Sequence, residues 1–153
     1  MKIHESLVPD EILKRFAHSY GNSLMNYAAN NCTVDQILSL VSLLWPKIAE
    51  DEGHFFIAEF YTGNLSTLKD QFNGSKKHIE RWVNAWSLGQ LVKFSSELED
   101  EEVLSSFAYV LKHFWESRLK SEFPENKFMV EIADNIEGES GLSITFYETM
   151  PEY

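Results

Sequence analysis

The chain is poor in the residues that disulfide bonds and nucleic-acid contacts require. Its 153 residues include a single cysteine, Cys32, so no disulfide bond can form within the chain. Lysine and arginine together number 13 against 24 acidic residues, which gives a net charge of −11. Because each phosphate contact needs a Lys or Arg side chain, this charge disfavours nucleic acid and anionic membrane surfaces as partners.

Long apolar runs are also lacking. The apolar stretches, such as residues 54–58, fall far short of the ~20 residues that a membrane-spanning helix needs. Residues 1–10 do not have the apolar run of a signal peptide. With only seven glycines and four prolines, no linker or low-complexity tract divides the chain. The sequence therefore predicts a soluble, cytoplasmic protein with one compact domain over residues 1–153.

The spacing of the apolar residues predicts about five helices. Each of these segments begins at a residue that suits a helix start: Pro9, Thr33, Asn64, Ser75 and Ser96. Gln36 follows Thr33, and Glu99 follows Ser96, at the spacing of a capping box.

Two of these helices carry apolar stripes that we expect to be buried. The stripe on the second helix comprises Ile37, Leu38, Val41, Leu44 and Trp45. The widest stripe lies on the last and longest helix and comprises Leu104, Phe107, Leu111, Phe114 and Trp115.

Strand patterns predict two β-hairpins, one central and one C-terminal. Residues 47–50 and 54–60 are joined at Asp51-Glu52-Gly53, and residues 127–133 are followed by residues 141–148. The sequence thus favours an α+β fold, in which we expect the hairpins to form one antiparallel sheet covered by helices. In the C-terminal hairpin, alternation places Phe128, Val130 and Ile132 toward the core. The alternate positions, which include Glu131, Ser143, Thr145 and Tyr147, are expected to face water.

No motif of known chemistry stands out. The seven glycines are scattered and form neither a phosphate loop nor a dinucleotide fingerprint. The five histidines do not have the spacing of a metal site, although His113 and Glu116 share a helix face. The sequence predicts no metal and no cofactor. The absence of catalytic motifs favours a role other than catalysis. An enzyme is kept as an alternative, because His54, Glu59 and His113 have no evident structural use.

The last thirty residues are the most unusual part of the chain. They contain seven acidic residues against one basic residue, Lys127, together with several aromatic side chains. An acidic, aromatic surface can steer and hold a basic protein partner. We therefore expect Glu131, Glu137, Glu139 and Tyr147 to contact such a partner.

Three functions fit these observations. The first is a protein-interaction module, for example an inhibitor, antitoxin or immunity-type protein. The second is an aromatic-lined protein that binds a small ligand, or an enzyme of unidentified type, because 14% of the residues are aromatic. The third is a subunit of a larger assembly. The sequence leaves the oligomeric state open.

Overall fold

A computed structural model describes residues 1–18, 21–91 and 99–150 of the chain. The α-helices are α1 (Leu24–Asn31), α2 (Val34–Leu44), α3 (Leu65–Gln71), α4 (Lys76–Val83), α5 (Leu88–Leu91) and α6 (Glu101–Glu122). The strands are β1 (Ile48–Asp51), β2 (His54–Ile57), β3 (Trp86–Ser87), β4 (Phe128–Asp134) and β5 (Leu142–Glu148). The α+β class is therefore confirmed. In the part of the chain that the structure describes, no helix is both long and apolar enough to cross a membrane.

The first predicted helix is shorter than its apolar pattern indicates. A 3₁₀ helix spans Asp10–Arg15 and ends where Phe16 adopts an extended conformation. Further along, Gly21 has a φ of 90°, a left-handed value that interrupts a helix, and α1 begins after the N-cap Ser23. The apolar spacing that follows Pro9 predicts a helix that reaches Tyr20, and Tyr20 lies outside the described residues.

Helix α2 begins as predicted, with a capping box between Thr33 and Gln36. The prediction that its stripe is buried is wrong, because none of the residues of α2 is buried. Only the side that carries Leu43 and Leu44 packs on the main core. This end is held to α6, where Trp115 Nε1 donates a hydrogen bond of 3.0 Å to the carbonyl oxygen of Leu43.

The strands form two separate antiparallel sheets rather than the single sheet that we expected. One sheet is the β1–β2 hairpin, whose turn residues Glu52 and Gly53 both have positive φ, as tight hairpin turns require. The other has the strand order β3-β5-β4, with Val130 opposite Phe146. Helix α4 joins the two sheets, because its Glu80 side chain accepts backbone hydrogen bonds from Phe55 in β2 and from Glu148 in β5.

The main core lies between α6 and the two sheets. It contains Phe55, Leu111, Trp115, Ile144 and Phe146, all of which are buried. Leu111 and Trp115 of the predicted stripe on the longest helix are buried as expected, whereas Leu104, Phe107 and Phe114 are only half-buried.

The longest helix starts at a different cap from the one predicted. The side chain of Asp100 accepts hydrogen bonds from the backbone N–H groups of Glu102 and Val103, and so caps α6. The predicted capping residue, Ser96, lies outside the described residues.

Candidate functional site

Helix α4 brings a fully buried carboxylate, Glu80, to the space between the two sheets. Its Oε1 accepts a hydrogen bond of 3.0 Å from the backbone N–H of Phe55 in β2. Its Oε2 accepts one of 2.6 Å from the backbone N–H of Glu148 in β5. One side chain therefore satisfies strand-edge donors from both sheets, which would otherwise be buried without partners.

Asn84, one helical turn further, continues this bridge and is also fully buried. Its Oδ1 accepts a hydrogen bond of 2.8 Å from the backbone N–H of Ile57. Its Nδ2 donates to the carbonyl oxygens of Phe55 and Phe146, at 3.0 and 3.1 Å. All the polar atoms of the amide are thus used to join β2 to β5, which is a structural role.

The surroundings of Glu80 change its acidity. Burial penalises the charged form and raises the pKa of Glu80 to about 7. The hydrogen bonds from Glu148 and Phe55, and the ammonium group of Lys76 at 3.8 Å, act in the opposite direction. Because burial has the larger effect, Glu80 titrates near neutral pH.

Two of the four residues that we expected to contact a basic partner already contact a basic residue of this chain. The guanidinium of Arg81 in α4 forms a bidentate pair with Glu131, with both N···O distances 2.9 Å. It also forms a close ion pair with Glu137. Arg81 holds the pKa of Glu131 below its usual value, chiefly by hydrogen bonding. Both carboxylates are therefore already paired with a basic residue of this chain.

The other two residues that we expected to contact a partner, Tyr147 and Glu139, differ in their surroundings. Tyr147 is 9% exposed, and the ammonium group of Lys77 lies 5.0 Å from the centre of its ring. With Ser143 and Thr145 also buried, the expectation that this face of β5 meets water is wrong, because α4 covers it. Glu139 lies beside the hairpin end and forms no ion pair with any residue that the structure describes.

The basic residues near the start of α4 also contact acidic or aromatic side chains of this chain. Lys76 forms a close ion pair with Glu148 and lies over the ring of Phe55. With Arg81 and Lys77 engaged by the hairpin as well, the basic face of α4 is matched to the acidic hairpin. The most acidic segment and the most basic helix of this chain are therefore partners within the fold.

The side chains that the sequence left without a use do not form one site. His113 and Glu116 are exposed, and Glu59 forms an exposed ion pair with Lys47. His54 is buried and stacks on Phe56, and its Nε2 has no hydrogen-bond partner within residues 1–18, 21–91 and 99–150. Over those same ranges, no group of three or more His, Cys, Asp or Glu residues could hold a metal ion.

Most of the aromatic excess is used in packing. The rings of Phe55 and Phe123 have centroids 4.8 Å apart, and those of Phe60 and Trp86 are 4.5 Å apart. A cleft of about 440 Å³ is lined by polar and aliphatic residues instead: Pro9, Glu11, Ile12, Glu101, Glu102, Ser105 and Ser106. The rings therefore build the core, and this cleft does not fit an aromatic-lined ligand site.

Helix α2 carries more exposed large apolar residues than any other helix or strand that the structure describes. We call its exposed apolar surface the α2 face, and it comprises Val34, Ile37, Leu38, Val41 and the adjoining Trp45. Leu38 is 65% exposed and Val41 is 55% exposed. Val34, Leu38 and Val41 follow one another along the helix side opposite Leu43, and this side points away from the core of the chain. Trp45 caps the end of α2, and Arg118 of α6 lies over its ring.

Sequence reasoning missed both the bridge and the exposed face. A signal for the bridge was available, because Glu80 and Asn84 are four residues apart and adjoin the buried Ile79 and Val83. A signal for the α2 face was present too, since seven of the eleven residues of α2 are apolar and one packed helix covers only part of so wide an apolar face.

Comparison with known proteins adds no relative. No protein-family model matches the chain, and no curated protein and no solved structure matches it at a significant level. The function must therefore be inferred from the geometry of the molecule.

Proposed function

We propose that this chain is a protein-interaction module and that the α2 face is its contact surface. The observation that carries this proposal is that seven of the eleven residues of α2 are apolar and yet none of its residues is buried. A helix with so wide an apolar face is normally covered over most of that face, and contiguous exposed apolar patches mark protein-binding sites. An isolated helix of 11 residues is marginal in water, so a partner on the α2 face would also stabilise α2.

The polar side chains support binding rather than catalysis as the function. Glu80 and Asn84 are fully occupied with backbone groups of the two sheets. Arg81 is occupied with Glu131 and Glu137. Charged groups that could serve as acid, base or substrate clamp are thus committed to holding the fold together.

The charge of the chain bears on the class of partner. A net charge of −11 speeds association with basic protein surfaces and opposes contact with nucleic acid. Among the four expected hairpin residues, Glu139 is the one available for such steering. An inhibitor, antitoxin or immunity-type protein that binds a basic target is the specific form of this proposal. The exposed thiol of Cys32 fits a reducing compartment such as the cytoplasm.

The test is affinity capture from the native cell with three tagged chains: wild type, Leu38→Glu and Tyr109→Glu. Both substitutions place a carboxylate at an exposed apolar position on a helix, but Tyr109 lies on α6, outside the α2 face. We expect Leu38→Glu to lose specific partners that wild type and Tyr109→Glu retain, as quantified by mass spectrometry. Identical captured proteins for all three chains would refute the α2 face as the contact surface.

A further inference from the structure

We propose that the N-terminal arm, residues 1–18 and 21–31, is a lid on the start of α6 that opens while the rest of the domain stays folded. The arm contains the 3₁₀ helix and α1. This inference goes beyond the proposed function and does not depend on which molecule binds the α2 face. Its starting point is that the described residues of the arm include only two buried ones, Ile12 and Leu13.

The two helices of the arm are bound to each other. The Asp10 side chain accepts a hydrogen bond of 2.8 Å from the backbone N–H of Leu24, in the first turn of α1. The rings of Phe16 and Tyr27 meet edge to face, with 5.3 Å between their centres. Because an isolated helix of eight residues is marginal in water, α1 depends on these contacts with the 3₁₀ helix. The arm should therefore move as one unit.

The arm is held to the rest of the domain mainly through the 3₁₀ helix, since no residue of α1 is buried. Ile12 and Leu13 are buried, but among the described residues they belong neither to the main core nor to the smaller apolar cluster around Phe56. A region with so few buried apolar contacts opens locally, at a free energy below that of global unfolding. The arm has this property, whereas α6 and β5 contribute to the main core.

The contact between the 3₁₀ helix and α6 is polar and incompletely packed. The guanidinium of Arg15 pairs with Asp100 at 3.0 Å and with Glu102 at 2.7 Å. The side chains of Arg15 and Glu102 are 42% and 64% exposed, so water weakens their ion pair. The cleft of about 440 Å³ lies between the two helices, and both Glu11 and Glu101 line it. Acidic side chains of both helices thus share one cleft, and the ion pairs of Arg15 hold the helices together against that repulsion.

Opening of the arm leaves the rest of the structure intact. Asp100 uses its Oδ2 atom for Arg15 and its Oδ1 atom to cap the first turn of α6, so the cap does not need the arm. The far end of α2 has its own attachment, because Trp115 donates a hydrogen bond to the carbonyl oxygen of Leu43. The hinge therefore lies in the extended residues between α1 and α2. In the open state, the start of α6 and the two buried apolar side chains of the arm become accessible.

Hydrogen–deuterium exchange of the full chain, measured by mass spectrometry, tests the inference. We expect the backbone amides of α1 to exchange faster than those of β5 in wild type, because the arm opens without global unfolding. Arg15→Glu should speed exchange in α1 by about fivefold or more, since repulsion replaces its two ion pairs, and should leave exchange in β5 unchanged.

Lys14→Glu is the matched control. It makes the same charge change on the same 3₁₀ helix, and Lys14 forms no ion pair with any residue of the described ranges. Exchange in α1 should stay within about twofold of wild type in this variant.

A second variant, Leu13→Ala, weakens the same contact without changing the charge, and it should also speed exchange in α1. Retained protection of β5 shows that each variant is folded. Exchange in α1 that is equal in wild type and Arg15→Glu would overturn the proposal. Faster exchange in α1 and β5 alike would overturn it too, because the arm would then unfold only together with the core.

Discussion

Glu80 on α4 and Asn84 at the C-cap of that helix lie one turn apart and together bind β2 and β5. Glu80 accepts hydrogen bonds from N–H groups of both strands, and Asn84 both donates and accepts. The two side chains tie both sheets to the same helix end. This arrangement makes the stability of the domain depend on two buried polar groups, one of which titrates.

Stability should fall as the pH rises toward neutrality because of Glu80. Its pKa is raised from 4.5 to about 7, so the folded protein binds the proton more tightly than the unfolded chain does. This contribution is fully present below pH 4.5 and is lost as the pH rises through about 7, with a change of at most about 3 kcal/mol. Urea denaturation at pH 5 to 8 should therefore show wild type losing stability relative to Glu80→Gln, which cannot titrate. The exposed variant Glu116→Gln is the control, and its free energy of unfolding should differ from that of wild type by a constant amount over this pH range. A pH-independent difference between wild type and Glu80→Gln would contradict the prediction.

Asn84→Ala should be among the most destabilising substitutions in the chain. It leaves the N–H of Ile57 and the carbonyl oxygens of Phe55 and Phe146 without the partner that they have in the folded protein. Since each unsatisfied buried group costs ~1–3 kcal/mol, we expect a loss of about 3 kcal/mol or more in the free energy of unfolding. Asn30→Ala is the control, because the Asn30 side chain is exposed on α1. Equal denaturation midpoints for the two variants would show that the bridge contributes little.

Glu137 and Glu139 should respond differently to the same charge reversal. Glu137→Lys breaks the ion pair with Arg81 and places a second positive charge beside it, which should cost about 1 kcal/mol. Glu139→Lys changes the net charge by the same amount without disturbing an ion pair of the described residues, so its effect should stay within about 0.5 kcal/mol. Denaturation midpoints decide between them. Equal stability of the two variants would show that the Arg81–Glu137 ion pair contributes nothing to folding.

Leu111→Ala and Leu38→Ala compare a core leucine with one on the α2 face. Leu111 is fully buried, so its truncation should cost ~2–5 kcal/mol. Leu38 is 65% exposed, so its truncation should cost less than about 1 kcal/mol. The denaturation midpoints of the two variants in urea measure the difference, and a loss for Leu38→Ala as large as that for Leu111→Ala would contradict it.

The local sequence determined where most elements begin and what kind they are. The capping box of Thr33 and Gln36, the tight turn at Glu52-Gly53 and the alternation of Phe128, Val130 and Ile132 all appear as predicted. Each involves residues within a few positions of one another, because helix caps, tight turns and strand faces depend on backbone geometry over that range. The α+β class follows from the same local patterns.

Tertiary structure alone decided how those elements meet. Arg81 pairs with Glu131 across 50 residues, and Asn84 binds Phe146 across 62, so neither contact has a local signature. The same holds for the α2 face, since its apolar pattern is compatible with burial on either side and only the position of α6 determines which side is covered. Local patterns indicate that a polar or apolar group needs a partner, whereas the folded chain determines which partner lies within reach. The reason is that bringing residues 50 or more positions apart together has an entropic cost, which contacts elsewhere in the fold must offset.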